Sequence, residues 1–271
     1  MRLGLLIAAL LTLVSMSAQA DPELVTLPDG TYRAVAPPNW DGKSKLPLVV
    51  WLPGYGQDSV QVMGDTDSGL VAAANGAGVL FVVADGLNRA WSHVGAPRRN
   101  RDDIAFIHAV VDDAKKRWPV DNAHVFAAGF SIGGSMVWDI ACHGAQGFTA
   151  FLPFSGALWH PYPEKCETGP VDLRHTHGTS DQTVPMGGRT LRNGFQQGNV
   201  HEAFDILRKT DACPAEPVKM TEEGMLICEI WNHCHSGRDV ELCLHTGDHY
   251  VRGEWLTQDI AWAMALKPHK H

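Results

Sequence analysis

A serine framed by glycines, set between an apolar run and a helix-compatible run, constrains this chain more than any other feature. Val125-Phe126-Ala127-Ala128 leads into Gly129-Phe130-Ser131-Ile132-Gly133-Gly134, and Ser135 to Ala141 follows. G-x-S-x-G between a strand and a helix reads as a nucleophile elbow. So tight a turn forces the serine into a strained backbone conformation and holds its Oγ in the open. Glycines two before and two after leave room for the neighbouring strand and helix. The competing reading is a Gly/Ser-rich turn that only connects two elements.

Apolar and amphipathic runs alternate along the rest of the chain. Candidate strands are Leu46–Leu52, Val79–Ala84, His124–Ala128, Phe148–Phe154, Val171–Thr176 and Val240–His245. Several are continuously apolar, as strands covered on both faces should be. Pro28-Asp29-Gly30 predicts an early hairpin with Thr31–Ala36 as its second arm. Asp102–Trp118 is the clearest helix, with Ile104, Ile107, Val111 and Trp118 on one face. Its first turn is acidic and its last carries Lys115, Lys116 and Arg117, which matches the helix dipole. Residues 253–266 predict a second amphipathic helix. The alternation implies an α/β fold, a mostly parallel central sheet with helices on both faces.

The first 20 residues are expected to be a signal peptide. Arg2 precedes an apolar run from Leu3 to Val14, and Ala18-Gln19-Ala20 is a small-residue cleavage site before Asp21. The run is too short for a membrane span, and no later stretch predicts one. Residues 21–271, about 250 in all, are expected to form one catalytic domain, secreted or periplasmic. Without Arg2, 21 Lys+Arg stand against 30 Asp+Glu, a net charge of −9. That acidity argues against nucleic acid or an anionic membrane as partner. All six cysteines follow the leader, and an even count in an exported chain implies disulfides.

A serine hydroxyl is a poor nucleophile alone and needs a base, and the base needs an acid to orient it. In the α/β-hydrolase arrangement the order is Ser, Asp/Glu, His. Gly178-Thr179-Ser180-Asp181 follows the strand that starts at Val171, which makes Asp181 the candidate acid. Thr246-Gly247-Asp248-His249 follows the last strand, which makes His249 the candidate base. His245 competes but falls within the strand, and Asp248 is too close in sequence to face His249. A tetrahedral oxyanion also needs two backbone N–H donors. Ile132, directly after the serine, is one candidate. Tyr55 is the other, in Leu52-Pro53-Gly54-Tyr55-Gly56-Gln57 after an early strand.

Five segments in order resemble the secreted polyhydroxybutyrate depolymerase / feruloyl esterase group of α/β-hydrolases, which includes acetylxylan esterases. They are Leu52 to Gln57, Asp103 to Ile107, Gly129 to Gly134, His177-Gly178-Thr179-Ser180-Asp181-Gln182-Thr183-Val184-Pro185, and Gly247-Asp248-His249. The resemblance covers roughly residues 30–265, and H-G-T-x-D-x-x-V-P is its most specific part. It implies the α/β-hydrolase fold and a Ser131–Asp181–His249 triad. Two departures stand out. Pro53-Gly54 occupies the place of His-Gly. The tryptophan and proline that the group often carries after the base are replaced in His249-Tyr250-Val251-Arg252-Gly253. No separate polymer-binding domain is expected, which favours soluble oligomers or small esters.

Six cysteines allow 15 pairings. Met225–Trp231 and Val240–His245 read as a hairpin turning near residues 235–236, which sets Cys228 opposite Cys243. Cys142 and Cys166 are expected at one sheet edge, and Cys213 then takes Cys234, as the resemblance also suggests. Trp91 and Trp159 are candidate substrate contacts. His233-Cys234-His235 with His245, His249, His269 and His271 raises a metal site, but no helical HExxH spacing supports it, and no metal or cofactor is expected. The expected function is an exported serine esterase acting on a small-molecule or oligomeric ester. It is expected to resemble polyhydroxybutyrate depolymerases or else feruloyl or acetylxylan esterases. The same triad would also serve a serine peptidase or amidase. A reading from a different class is a non-catalytic periplasmic binding protein on a hydrolase fold. The sequence leaves the oligomeric state open.

Overall fold

The computed structural model describes residues 21–95, 100–191, 194–232 and 234–267. The expected leader lies outside them, as do His233, His269 and His271. An N-terminal hairpin joins β1 (Glu23–Leu27) to β2 (Gly30–Val35). Then come β3 (Leu46–Leu52), α1 (Ser59–Gly64), α2 (Leu70–Gly76), β4 (Leu80–Ala84) and α3 (Asp103–Arg117). β5 (Val120–Phe130), α4 (Ile132–His143), β6 (Ala150–Phe154) and β7 (Leu173–Gly178) follow. The rest is the short pair β8 (Arg189–Thr190) and β9 (Gln196–Gln197), α5 (Val200–Asp211), β10 (Lys219–Glu223), β11 (Leu226–Trp231), β12 (Val240–His245) and α6 (Gly253–Ala265).

The main sheet has ten strands in the order β1-β2-β4-β3-β5-β6-β7-β12-β11-β10. The six central strands, β4 to β12 in that order, pair parallel, and the two at each edge are antiparallel. The apolar runs explain why. Side chains alternate between faces along a strand, so a run apolar at every position must be covered on both sides. In β3, Leu46, Leu48, Val50 and Leu52 enter one core and Val49 and Trp51 the other. α3, α4 and α5 cover the first face with Phe106, Val110, Trp138 and Phe204 among others. α1, α2 and α6 cover the second with Val62, Leu70, Trp255 and Ile260. Each such side chain contributes roughly 1.5–3 kcal/mol when fully buried.

Several boundaries differ from expectation. β5 runs well beyond His124–Ala128 at both ends, because β3 and β6 offer it partners from Val120 to Phe130. α3 buries Phe106, Ile107, Val110, Val111 and Ala114, while Ile104 and Trp118 lie at the margin of that stripe. α5 went unread, although Val200, Ala203, Phe204 and Leu207 make a helical apolar face behind the N-cap Asn199.

β7 is polar on both faces and still fully buried. Arg174 points under α6, where it pairs with Asp259 at 2.8 Å, Glu241 at 2.5 Å and Glu223 at 2.6 Å. One cation among three carboxylates leaves negative charge to spare, and burial pushes Asp259 up to about 7. Among the described residues no helix is long and apolar enough to cross a membrane.

Disulfides join Cys142 to Cys166, Cys213 to Cys234 and Cys228 to Cys243. Cys228 and Cys243 are register partners across the β11–β12 hairpin. Their 15-residue separation closes a loop worth about 3 kcal/mol by restriction of the unfolded chain. Replacing both by serine should therefore lower the melting temperature by roughly 6–12 °C. A thermal scan in which the double variant melts with the wild type would refute this account.

Candidate active site

β5 lies in the middle of the sheet and leads into Ser131, where the backbone takes φ 59° and ψ −122° before α4 begins at Ile132. A non-glycine residue there stores on the order of 1–3 kcal/mol of strain. The surrounding packing enforces it. A Cβ at Gly133 would lie 1.9 Å from the Leu52 carbonyl oxygen, and one at Gly129 would lie 2.7 Å from the Gly133 backbone. The end of β3 and the first turn of α4 can approach this closely only through glycine. Ser131 N–H donates to Phe154 O on β6 at 2.9 Å, which ties the turn to its neighbouring strand.

Asp181 follows β7 and His249 follows β12, and these strands are parallel neighbours. Their outgoing loops are laced together. Thr179 N–H donates to His245 O at 2.8 Å, Ser180 N–H to Gly247 O at 3.1 Å, and Gln182 N–H to Asp248 Oδ1 at 3.1 Å. His249 Nδ1 lies 2.6 Å from Asp181 Oδ2, and Nε2 lies 2.8 Å from Ser131 Oγ. The carboxylate assigns the tautomer: Nδ1–H donates to it, and Nε2 is free to accept from the serine hydroxyl. Asp181 Oδ1 accepts the Thr183 and Val184 N–H groups at 2.8 and 2.7 Å. Burial raises the pKa of Asp181, but the bonds from His249 and Val184 outweigh it and hold the carboxyl below its ordinary range. The Phe130 ring backs His249 at 4.6 Å between centroids.

In the loop after β3, Gly54 N–H donates to Gln57 Oε1, Gly56 N–H to Arg89 O and Gln57 N–H to Gly54 O. Among these residues Tyr55 keeps a backbone N–H uncommitted within the described structure, and the residue is 77 % exposed. The loop sits against the serine, since a Cβ at Gly54 would meet Ser131 Cβ at 3.4 Å. Ile132 opens α4, so its N–H has no intrahelical partner.

The two candidate tryptophans are packed rather than open. Trp91 is 7 % exposed and donates its indole N–H to Pro53 O at 2.9 Å, propping the Tyr55 loop from beneath. Trp159 is 9 % exposed and stacks on His93 at 4.8 Å. His245 is buried between Tyr250 and Trp255 and accepts Gly247 N–H through Nδ1 at 3.0 Å. No group of three or more potential metal ligands is assembled among the described residues. Sequence reading passed over His175 and quoted His177 only as the start of a motif, with no role of its own; β7 places both behind Asp181. Their alternation, two polar residues in step just before the acid, was the available signal.

No protein-family model matches the chain. It is 37 % identical to feruloyl esterase C of Emericella nidulans over 141 residues, 51 % of this chain and 48 % of that protein. It is 34 % identical over 146 residues to the putative esterase NocK of Nocardia uniformis, 52 % of this chain and 42 % of that one. The chain thus spans about half the length of these curated relatives. Among solved structures, the acetyl xylan esterase of Aspergillus awamori matches with a TM-score of 0.65 at 14 % identity, covering 90 % of this chain and 99 % of that one. The feruloyl esterase module of Clostridium thermocellum matches at 0.60 and 11 % identity, covering 94 % and 92 %. By sequence the chain resembles feruloyl esterases, and by fold it is an α/β-hydrolase.

Proposed function

We propose that the protein is an exported serine esterase. The observation that carries the reading is the alignment of Ser131 Oγ, His249 and Asp181 through contacts of 2.8 and 2.6 Å. His249 Nε2 takes the hydroxyl proton as Ser131 Oγ attacks the ester carbonyl. The tetrahedral oxyanion is held by the Tyr55 and Ile132 N–H groups, each contributing roughly 3 kcal/mol. His249 returns the proton to the departing alkoxide, which leaves an acyl-enzyme. Water, deprotonated by His249, attacks that ester, and Ser131 leaves with the proton. Asp181 stays ionised throughout and stabilises the imidazolium. These steps need no cofactor. Three disulfides and the expected leader support export.

The substrate is a soluble or short ester. Val251 and Arg252 stand where the resembling group often carries tryptophan and proline, and Tyr250 before them packs on Trp255 at 5.2 Å. The alcohol and acyl surfaces beside His249 are therefore this chain's own. The names of its relatives favour a second reading, feruloyl or acetyl esters of plant polysaccharide. A panel of feruloyl sugars, acetylated xylan and hydroxybutyrate oligomers separates the two.

Ser131→Ala and His249→Ala should each cut ester hydrolysis at least about a thousandfold in folded protein, whereas His245→Ala should act mainly on melting temperature. A folded Ser131→Ala protein that keeps a tenth of wild-type kcat would end the assignment, and the reverse histidine pattern would move the base. Labelling by a fluorophosphonate probe distinguishes catalyst from binder, and p-nitrophenyl esters against anilides distinguish esterase from amidase. Short soluble esters should be hydrolysed faster than crystalline polyhydroxybutyrate films are cleared. Rapid clearing without activity on soluble esters is the contrary result.

A further inference from the structure

β7 carries His175 and His177 two residues apart, so both side chains leave the same face of the strand. Both are buried completely. Their partners assign the protons between them, and His175 also meets the Pro153 carbonyl, which only accepts. Val184 O only accepts, and it lies 2.8 Å from His177 Nε2, so that nitrogen carries hydrogen. Trp138 Nε1 only donates, and it lies 3.4 Å from His175 Nδ1, so that nitrogen is bare. The contact between the rings, His175 Nε2 to His177 Nδ1 at 2.9 Å, then has one possible direction, with His175 donating. The result is a one-way chain of hydrogen bonds with both rings neutral. It begins on α4, the helix that follows Ser131, and ends at the loop that carries Asp181.

Its end meets Asp181 in two ways. His177 Nε2 holds Val184 O, and the N–H of the same Val184 donates to Asp181 Oδ1 at 2.7 Å. The same Nε2 also lies 3.5 Å from Asp181 Oδ2, the oxygen that receives His249 Nδ1–H. The chain further keeps a second cation away from that carboxylate. An added proton on His177 Nδ1 would face the His175 Nε2–H across 2.9 Å, two donors with no acceptor between them. Burial acts in the same direction and pushes His177 down to about 4.

We propose that His177, held in one tautomer by His175 and Trp138, is a positioning residue for the triad. It fixes the Asp181–Val184 loop from behind so that Asp181 Oδ2 meets His249 alone as a charged partner. The inference rests on the reading of Ser131, His249 and Asp181 as a triad.

Two measurements test it. Imidazole nitrogen spectra of the wild-type protein between about pH 5 and 8 should show both His175 and His177 as the neutral Nε2–H tautomer. Either ring found as Nδ1–H or as imidazolium would overturn the proposal, with no variant required. The second compares His177→Asn, which keeps an acceptor near Nδ1 and loses the Nε2 donor, with His177→Gln, which carries a donor to the Nε2 position. His177→Asn should lower kcat about 10-fold or more at near-constant KM, and should shift or broaden the low-field proton resonance of His249 Nδ1–H. His177→Gln should restore most of both. If His177→Asn does not fold, Trp138→Phe frees the far end of the chain and should move the same resonance. A folded variant with lower melting temperature but wild-type kcat and an unmoved resonance would reduce His177 to a packing residue. Should wild-type protein neither hydrolyse esters nor take the fluorophosphonate, the esterase reading fails by itself, while the tautomer and low-field spectra still decide this one.

Discussion

The candidate site depends on one close approach, the Leu52 carbonyl against the first turn of α4 at Gly133. That contact sets the distance between β3 and α4. Between β5 and α4 the chain turns through the positive-φ conformation of Ser131. The strain is offset by the packing of the two cores that clamp β5 and by the Ser131 N–H bond to β6. Rigid elements thus hold the serine, and the uncommitted N–H of Ile132 comes with the same turn. The Tyr55 loop is the direct continuation of β3, so the approach that shapes the serine also brings the second candidate donor beside it.

The acid and base arrive by a separate route. Parallel neighbours end at the same edge of a sheet, so β7 and β12 deliver Asp181 and His249 to one place although 68 residues part them. The Cys228–Cys243 bridge braces the hairpin that leads into His249. Backbone bonds between the two outgoing loops then set the carboxylate and the imidazole in register. The site is assembled from loops, but every loop is anchored within a few residues of a buried strand.

β7 carries four buried polar side chains in succession, Arg174, His175, Thr176 and His177. One face presents Arg174 to three carboxylates, and the other presents two histidines to Trp138 and Val184. Buried polar groups are costly unless each finds a partner. Here the two faces solve the problem differently, by charge pairing with Arg174 under α6 and by hydrogen-bonded rings under α4. The neutral solution lies on the side of Asp181, the carboxylate that faces His249.

The local arrangement was legible in the sequence. Gly129 and Gly133 around Ser131, the apolar runs that require cover on both faces, and the positions of Asp181 and His249 just past their strands all follow from spacing and periodicity. The facing of Cys228 and Cys243 follows from counting along a hairpin. Tertiary structure decided what depends on residues far apart. The full length of β5 came from the partners beside it. The burial of Trp91 and Trp159 came from partners far along the chain, Pro53 O and the His93 ring. His175 and His177 gained their meaning only when α4 and the acid loop closed around β7. A strand's alternation tells which residues share a face, but the groups that meet that face are set by packing, and with them the direction of every buried hydrogen bond.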